Sequence, residues 1–246
     1  MTSRFVARYA QAPTRQCSSP GCARTVQRVA ARCHQCANRL RRFGAVDQTL
    51  PHVHEMDKFV RRLEEARGAL KTLDMEALEA RWTELVGDCR GRATPTYKDQ
   101  KVLSYNGWER EAAALIRDVS ENISFTRALD LMGAVLLMQH ERGTFRSDDA
   151  LACCTVELMR RAANVGTKVV RMNAHNQTIS NSYRREMSRN SRLACARLLN
   201  VGLGAAAAAL AKRAAAKEDR ARQVRDSYYA VVKSLEGEQH GVQGRP

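Results

Sequence analysis

Four cysteines near the N-terminus constrain the fold of this chain more than any other feature. They follow the spacing C-x4-C-x10-C-x2-C, at Cys17, Cys22, Cys33 and Cys36. Two close thiol pairs, each in a tight turn and joined by a spacer that returns the chain, provide the four ligands of a tetrahedral Zn²⁺ site. Because all four ligands are thiolates, such a site has no open position for substrate and stabilises the fold without catalysing a reaction. The spacing therefore predicts a zinc-stabilised module over residues 15–50.

Three alternatives to this site stay open from the sequence. His34 lies between the last two cysteines and would serve as a ligand in place of one of them, although an exposed position beside the site suits it better. Cys33 and Cys36 alone match a redox Cys-x2-Cys motif, but no βαβ pattern surrounds them. Four unrelated buried thiols are the third alternative, and the paired spacing argues against it.

A basic helix is predicted directly after the second cysteine pair. On a helix that starts near His34, Arg39 and Arg42 share a face and Arg41 lies beside them. Leu40 and Phe43, also three residues apart, are expected to pack the other face onto the zinc site. Guanidinium groups on a rigid helix suit phosphate contacts and bidentate contacts to guanine.

The segment resembles a short zinc-finger-like segment found in many bacterial and phage proteins. That segment contains C-x4-C, a basic spacer, C-x2-H or C-x2-C, a basic helix and a glycine. The matching residues are Cys17-Ser-Ser-Pro-Gly-Cys22, Arg24, Cys33-His-Gln-Cys36 and Arg39-Leu-Arg-Arg-Phe-Gly44. The resemblance implies a DNA-binding accessory, of the kind found beside homing-type HNH nuclease or helix-turn-helix modules. The more common His at the fourth position is Cys36 here, which keeps zinc binding and makes the site more anionic. Residues 51–246 lie outside the resemblance.

The charge of the chain calls for a polyanionic partner. The net charge is +15, and residues 155–225 contain 15 Lys and Arg against four acids, whereas residues 51–154 contain 15 against 18. We predict that nucleic acid is contacted by Arg24, Arg39, Arg41, Arg42, Arg184, Arg185, Arg189 and Arg192. Tyr183 is the only aromatic residue near Arg184, Arg185, Arg189 and Arg192. Backbone contact with duplex DNA is therefore favoured over base stacking. The alternative is that these arginines pair with acids of the same domain or of an oligomer.

The rest of the sequence predicts helices, because apolar residues recur every three or four positions and Ala, Leu, Arg and Glu abound. The predicted fold is mostly α, with a small N-terminal zinc-stabilised module followed by a multi-helix domain. The expected boundaries are a flexible basic arm at 1–14, the zinc module at 15–50, an all-helical domain at 51–236 with a sub-boundary at 91–97, and a disordered tail at 237–246. Helices are expected from Pro51, from a cap at Asp74 to Gly91, and over 107–120, 124–141, 148–164 (capped by Ser147), 183–200 and 203–235. Residues 172–182 are ambiguous between loop and helix, and strands are expected only in the metal module.

These features favour a non-catalytic, cytoplasmic nucleic-acid-binding protein with structural Zn²⁺, associated with the nucleoid in a bacterial or phage-infected cell. The first residues lack the apolar core of a signal peptide, and Leu198–Ala211 is too short and too rich in Ala and Gly for a membrane span. Cys89, Cys153, Cys154 and Cys195 are expected to be buried free thiols. A helical scaffold with structural zinc is the first alternative and a nuclease the second, although His52, His54, His140, His175 and Asn176 lie in no zinc-stapled ββα pattern. The sequence does not distinguish DNA from RNA or a monomer from a homo-oligomer.

Overall fold

The computed structural model describes residues 14–27, 30–68, 72–93, 106–165, 167–172, 178–183 and 186–242. The N-terminal part forms β1 (Thr14–Gln16), β2 (Thr25–Gln27) and α1 (His34–Phe43). The helices that follow are α2 (Val53–Arg67), α3 (Thr72–Ala93), α4 (Gly107–Asn122), α5 (Phe125–Arg142) and α6 (Asp148–Ala162). The chain then forms β3 (Thr167–Met172), β4 (Thr178–Tyr183), α7 (Arg189–Leu199), a π-helical turn (Asn200–Gly204) and α8 (Ala205–Val242). The prediction of a mostly α-helical protein with a small cysteine module at its N-terminus is confirmed.

Side-chain caps explain where several helices begin. Ser147 accepts a hydrogen bond from the Ala150 amide at 3.1 Å, as the sequence predicted for the start of α6. The side chains of Asn106, Ser124 and Ser188 cap α4, α5 and α7 in the same way. At the other end of α1, Gly44 takes φ 76°, a left-handed conformation that glycine adopts without strain, and this confirms the predicted helix end.

The main core is built around α5. This helix is apolar on most of its circumference and is covered by α2, α6 and α8. Leu129, Val135, Leu137 and Met138 are almost completely buried there. Gly133 lets the helices approach closely, because a Cβ at this position would lie 2.7 Å from Leu63 Cδ1.

The second hairpin corrects the prediction that strands occur only in the metal module. β3 and β4 pair antiparallel, from Thr167 opposite Tyr183 to Met172 opposite Thr178. The domain expected to be all-helical therefore contains a hairpin, and residues 178–182 form a strand instead of a loop or helix. The signal was the content of β-branched residues such as Val169 and Ile179, which favour strands even without strict alternation.

Several predicted helix ends are wrong by a few residues. α2 begins after His52 instead of at Pro51, and α3 begins at Thr72, so that Asp74 lies in its first turn and is not its cap. α3 also continues through Gly91 to Ala93, while residues 94–97 of the predicted loop lie outside the described residues. Of the predicted basic arm, only Thr14 is described, and it begins β1.

The last two helices form one continuous run with a π-helical turn. The run begins at Arg189 instead of 183, and α8 continues to Val242, so residues 237–242 of the expected disordered tail are helical; residues 243–246 lie outside the described residues. Gly202 lets this run pack closely against α3, because a Cβ there would lie 2.8 Å from Leu85 Cδ2. By length and composition alone, Arg189–Ala230 would suffice to cross a membrane, and 39% of its most apolar window is buried in the fold.

The metal module (residues 15–50) is attached to the helical domain through the end of α1. Phe43 is buried in the main core, and α1 contacts α6 and α7. Arg192 Nη1 donates to the Arg42 carbonyl at 3.1 Å, and the Arg146 amide donates to Gln48 Oε1 at 3.1 Å. This attachment gives the C-terminal end of α1 a defined position on the helical domain.

Candidate metal centre and nucleic-acid interface

The first pair of cysteines lies in the β1–β2 hairpin, and the second begins α1. The Cys17 amide donates to the Arg24 carbonyl at 2.8 Å, which closes the hairpin loop. Ser18 ties this loop to the second pair, because both its amide and its hydroxyl donate to the Ala31 carbonyl, at 2.9 and 2.8 Å. Gly21 takes φ 71° in the tight turn between the first two cysteines. The local turn chemistry thus brings the two pairs face to face.

The four thiols fit a tetrahedral metal ion. All four Sγ atoms lie within 4.8 Å of one another, and Cys22 Sγ lies 3.8 Å from Cys33 Sγ. Zn–S bonds of about 2.3 Å at tetrahedral angles separate the sulfurs by about 3.8 Å, so this pair already has the spacing of bound ligands. The described part of the chain contains no other cluster of this kind. The residues that could hold a metal ion are therefore Cys17, Cys22, Cys33 and Cys36. Four thiolates are one of the ligand sets found in structural zinc sites.

Polar groups beside the sulfurs favour the thiolate form at part of this cluster. The Ser19 hydroxyl and the Cys33 amide lower the pKa of Cys17 to about 6, and the Cys33 amide lies 3.2 Å from Cys17 Sγ. The Cys36 amide is the main cause that lowers the pKa of Cys33. At Cys36 the Ser19 hydroxyl lowers the pKa, but burial and the neighbouring thiols together raise it to about 11. Cys17 and Cys33 therefore lose their protons at lower pH than Cys36 does.

The other four cysteines behave as the sequence predicted. Cys89, Cys153, Cys154 and Cys195 are buried free thiols. Burial raises the pKa of Cys89 and Cys153 to about 11 and that of Cys154 to about 12. They are inert core residues, since the thiolate is the reactive form. His34 is exposed at the start of α1, where Asn38 Nδ2 lies 3.2 Å from its Nε2.

The arginines of α1 are presented as the sequence predicted, but the opposite face packs differently. Arg39 and Arg42 line one groove, and the side chain of Arg41 is 65% exposed. Arg42 Nη2 lies 2.5 Å from Glu186 Oε1, and this carboxylate also lies 3.7 Å from Arg41. Phe43 enters the main core instead of packing onto the metal cluster. The reason is that the last turn of α1 contacts α6 and α7, which offer a larger apolar surface.

The remaining predicted nucleic-acid contacts differ in exposure and in their partners. Arg24 is exposed in the metal module and donates to Gln35 Oε1. Arg189 is partly exposed and pairs with Asp149. The predicted nucleic-acid contact of Arg192 is wrong, because its side chain is only 2% exposed and lies under α1, where no phosphate reaches it. Arg184 and Arg185 lie outside the described residues.

The sequence pattern did not identify one residue of the groove that Arg39 and Arg42 line. Arg161, at the end of α6, lines the same groove as Arg39 and Arg42, more than a hundred positions away along the chain. Its only sequence signal was its place in the last helical turn, where a cation offsets the helix dipole. Comparison with protein-family models, curated proteins and solved structures finds no match to this chain.

Proposed function

We propose that this protein binds nucleic acid, with duplex DNA as the preferred partner, and that a zinc ion in the four-cysteine site stabilises the binding module. The observation behind the proposal is the position of α1. One end of this helix contains Cys36 and is preceded by Cys33 as its N-cap, and the other end is anchored in the main core through Phe43. Arg39, Arg41 and Arg42 are therefore presented from a helix that is held at both ends.

Rigid presentation matters because guanidinium groups lose affinity when they must be ordered on binding. Held arginines contact phosphate oxygens with charge-assisted, bidentate hydrogen bonds. The contacts in this proposal are Arg24, Arg39, Arg41, Arg42 and Arg189, with Arg184 and Arg185 kept as predictions from the sequence. Backbone contacts of this kind give affinity with little sequence preference.

The proposal assigns no catalytic step to the metal. A site closed by four thiolates leaves no coordination position for water or substrate, so its contribution is to fold the module. We propose the cytoplasm as the place of action, since a reducing compartment keeps the ligand thiols and the four buried thiols free.

A second candidate function is a helical scaffold in which zinc stabilises an interface. The ion pairs within the helical domain favour the scaffold, because several basic side chains of the chain are already neutralised by acids. Arg67 makes two hydrogen bonds of 3.0 Å to the buried Asp130, and Lys217 pairs with Glu65 at 2.7 Å. Under this alternative the arginines near α1 would contact acids of another protein and would show no affinity for phosphate.

A salt-dependent gel shift separates the two functions. Zinc-loaded full-length protein is mixed with duplex DNA, single-stranded DNA and duplex RNA at several salt concentrations. The binding proposal expects retention of duplex DNA with a strong salt dependence, because each phosphate contact contributes about 0.9 to the slope of log K against log salt. Retention of none of the probes at low salt, together with a stable oligomer in light scattering, would contradict the proposal and support the scaffold.

A further inference from the structure

A groove runs along the line where the metal module meets the helical domain, and we call it the junction groove. It has a volume of about 460 Å³. One wall is α1, the floor is the linker Gln48–His52, and the other wall is the end of α6. Its size falls within the range of about 300–1,000 Å³ that is typical of ligand sites in proteins.

The junction groove is lined by cations and by no carboxylate. Arg39, Arg42 and Arg161 contribute side chains to it, and His52 lies at the end of the linker. Arg39 makes no hydrogen bond or ion pair with any of the residues that the structure describes. Among the described residues, the side chain of Arg161 pairs with Glu157 alone, at 3.8 Å, and it is 47% exposed. Two of the three guanidinium groups are therefore available to a ligand.

The carboxylate behind Arg161 is shared by three arginines. Glu157 lies 3.0 Å from Arg160, 3.6 Å from Arg192 and 3.8 Å from Arg161. The side chains of Arg160 and Arg192 are only 5% and 2% exposed, so water screens their charge poorly. Burial also lowers the pKa of Arg192, despite the nearby Glu157. Because Arg161 shares this carboxylate with Arg192, an anion in the groove would offset part of the charge of Arg161.

From this arrangement we infer that the junction groove is a phosphate-binding site, in which Arg39 of the metal module and Arg161 of the helical domain hold one phosphate group. A phosphate presents several oxygens at tetrahedral angles and accepts from two guanidinium groups at once. The groove is larger than a single phosphate and has room for the attached sugar. Arg42 lies at the same wall, but it is already paired with Glu186 at 2.5 Å, so the direct contacts are assigned to Arg39 and Arg161.

Two kinds of molecule carry a phosphate group that would fit this site. It belongs either to the backbone of a nucleic acid or to a free phosphate ester of small size. The first source rests on the proposed function and adds to it that the helical domain touches the nucleic acid directly. The second source is independent of the proposed function.

The test uses full-length, zinc-loaded protein with Arg39→Gln, Arg161→Gln and the double variant. Arg127→Gln is the matched control, because its side chain is 38% exposed and pairs with Glu64 at 3.6 Å, much as Arg161 pairs with Glu157. The probes are a fluorescent DNA duplex, followed by anisotropy, and adenosine monophosphate and inorganic phosphate, followed by calorimetry. Retained zinc and an unchanged circular dichroism spectrum show that each variant is folded.

We expect each single variant to weaken the binding of the phosphate-bearing probe by roughly fivefold and, for the duplex, to lower the salt slope by about one unit. Because both arginines hold the same phosphate, the double variant should lose clearly less than the product of the two single losses. Arg127→Gln should bind as the wild type does.

The outcomes separate the inference from the proposed function. Duplex binding that Arg161→Gln leaves unchanged, together with no binding of adenosine monophosphate or phosphate that the variants weaken, would overturn the inference and leave the proposed function intact. Binding of the nucleotide or phosphate that both variants abolish, without any duplex binding, would support the inference and overturn the proposed function. Multiplicative losses in the double variant would show two separate contacts and overturn the shared site. Failure of every probe to bind would overturn both.

Discussion

At the scale of single residues, burial and pairing decide which charges are available to a ligand. Arg192 and Arg189 are three positions apart on one helix, yet the first is buried under α1 and the second is partly exposed. Arg39 has no partner among the described residues, whereas Arg42 is held by Glu186. The number of arginines therefore overstates the positive surface.

Glu186 provides a prediction at this scale. Hydrogen bonding to Arg42 holds the pKa of Glu186 below its usual range, so this carboxylate is ionised at neutral pH and competes with phosphate for Arg41 and Arg42. Glu186→Gln should strengthen duplex binding several-fold at low salt, in the opposite direction to the arginine variants. Anisotropy titration measures the change. Glu141→Gln, which removes the partner of Arg62, is the control and should have no effect. Weaker binding by Glu186→Gln would show that the ion pair orients Arg42 for binding instead of competing.

At the scale of elements, α1 couples the metal site to the main core. Phe43 is buried in the main core and Leu50 packs against it, whereas the cysteines and Val26 form a small separate cluster. The metal module is therefore not energetically independent of the helices.

Phe43→Ala tests this coupling. The substitution removes a buried aromatic ring and should lower the free energy of unfolding of the helical domain by about 3 kcal/mol, the lower end for a buried Phe. Leu40→Ala on the same helix is the control, because Leu40 is half-buried and belongs to neither apolar cluster. Chemical denaturation measured by circular dichroism gives both values. Equal small effects of the two substitutions would mean that α1 is only loosely attached.

Close packing between helices gives a second prediction for an element. At Gly133 of α5 a Cβ would lie 2.7 Å from Leu63 Cδ1 and 3.4 Å from the Ala207 carbonyl, so Gly133→Ala should destabilise the fold by about 1–3 kcal/mol. At Gly87, on the exposed face of α3, a Cβ would meet nothing within 4 Å. Gly87→Ala should therefore stabilise the protein by roughly 0.5–1 kcal/mol. Thermal unfolding of both variants checks the opposite signs; a shared sign would contradict the close approach of α2, α5 and α8.

At the scale of the whole molecule, α8 extends beyond the core. The helix has 38 residues and a length of about 57 Å. Residues up to Ala215 contribute to the main core, whereas every residue from Asp219 to Ala230 is exposed. The free end includes two exposed tyrosines, Tyr228 and Tyr229.

A chain that ends at Glu218 should therefore keep its stability. It retains the ion pair between Lys217 and Glu65, and its melting temperature should change by less than about 2 °C, because the removed residues up to 230 are all exposed and none belongs to the main core. Differential scanning calorimetry and light scattering of both chains are the measurements. A large drop in melting temperature, or the loss of a dimer present in the full chain, would show that the free end contacts a second copy.

The sequence alone determined the features that depend on neighbouring residues. The spacing of Cys17, Cys22, Cys33 and Cys36 sufficed for the metal cluster, because a ligand pair in a tight turn is a local arrangement. Helical periodicity and caps such as Ser147 located most helices, since both depend on residues within one or two turns. Helix ends were less accurate, because tertiary contacts extend or shorten the last turn.

Only the tertiary structure decided which surfaces meet. It buried Arg192, turned Phe43 into the main core, paired β3 with β4 and placed Arg161 beside Arg39. Each of these outcomes depends on contacts between residues that are distant along the chain or on the apolar area that neighbouring helices offer. The physical reason is that burial and charge compensation are properties of an assembled surface: a one-dimensional pattern of arginines is the same whether a guanidinium faces water, a carboxylate or the interior.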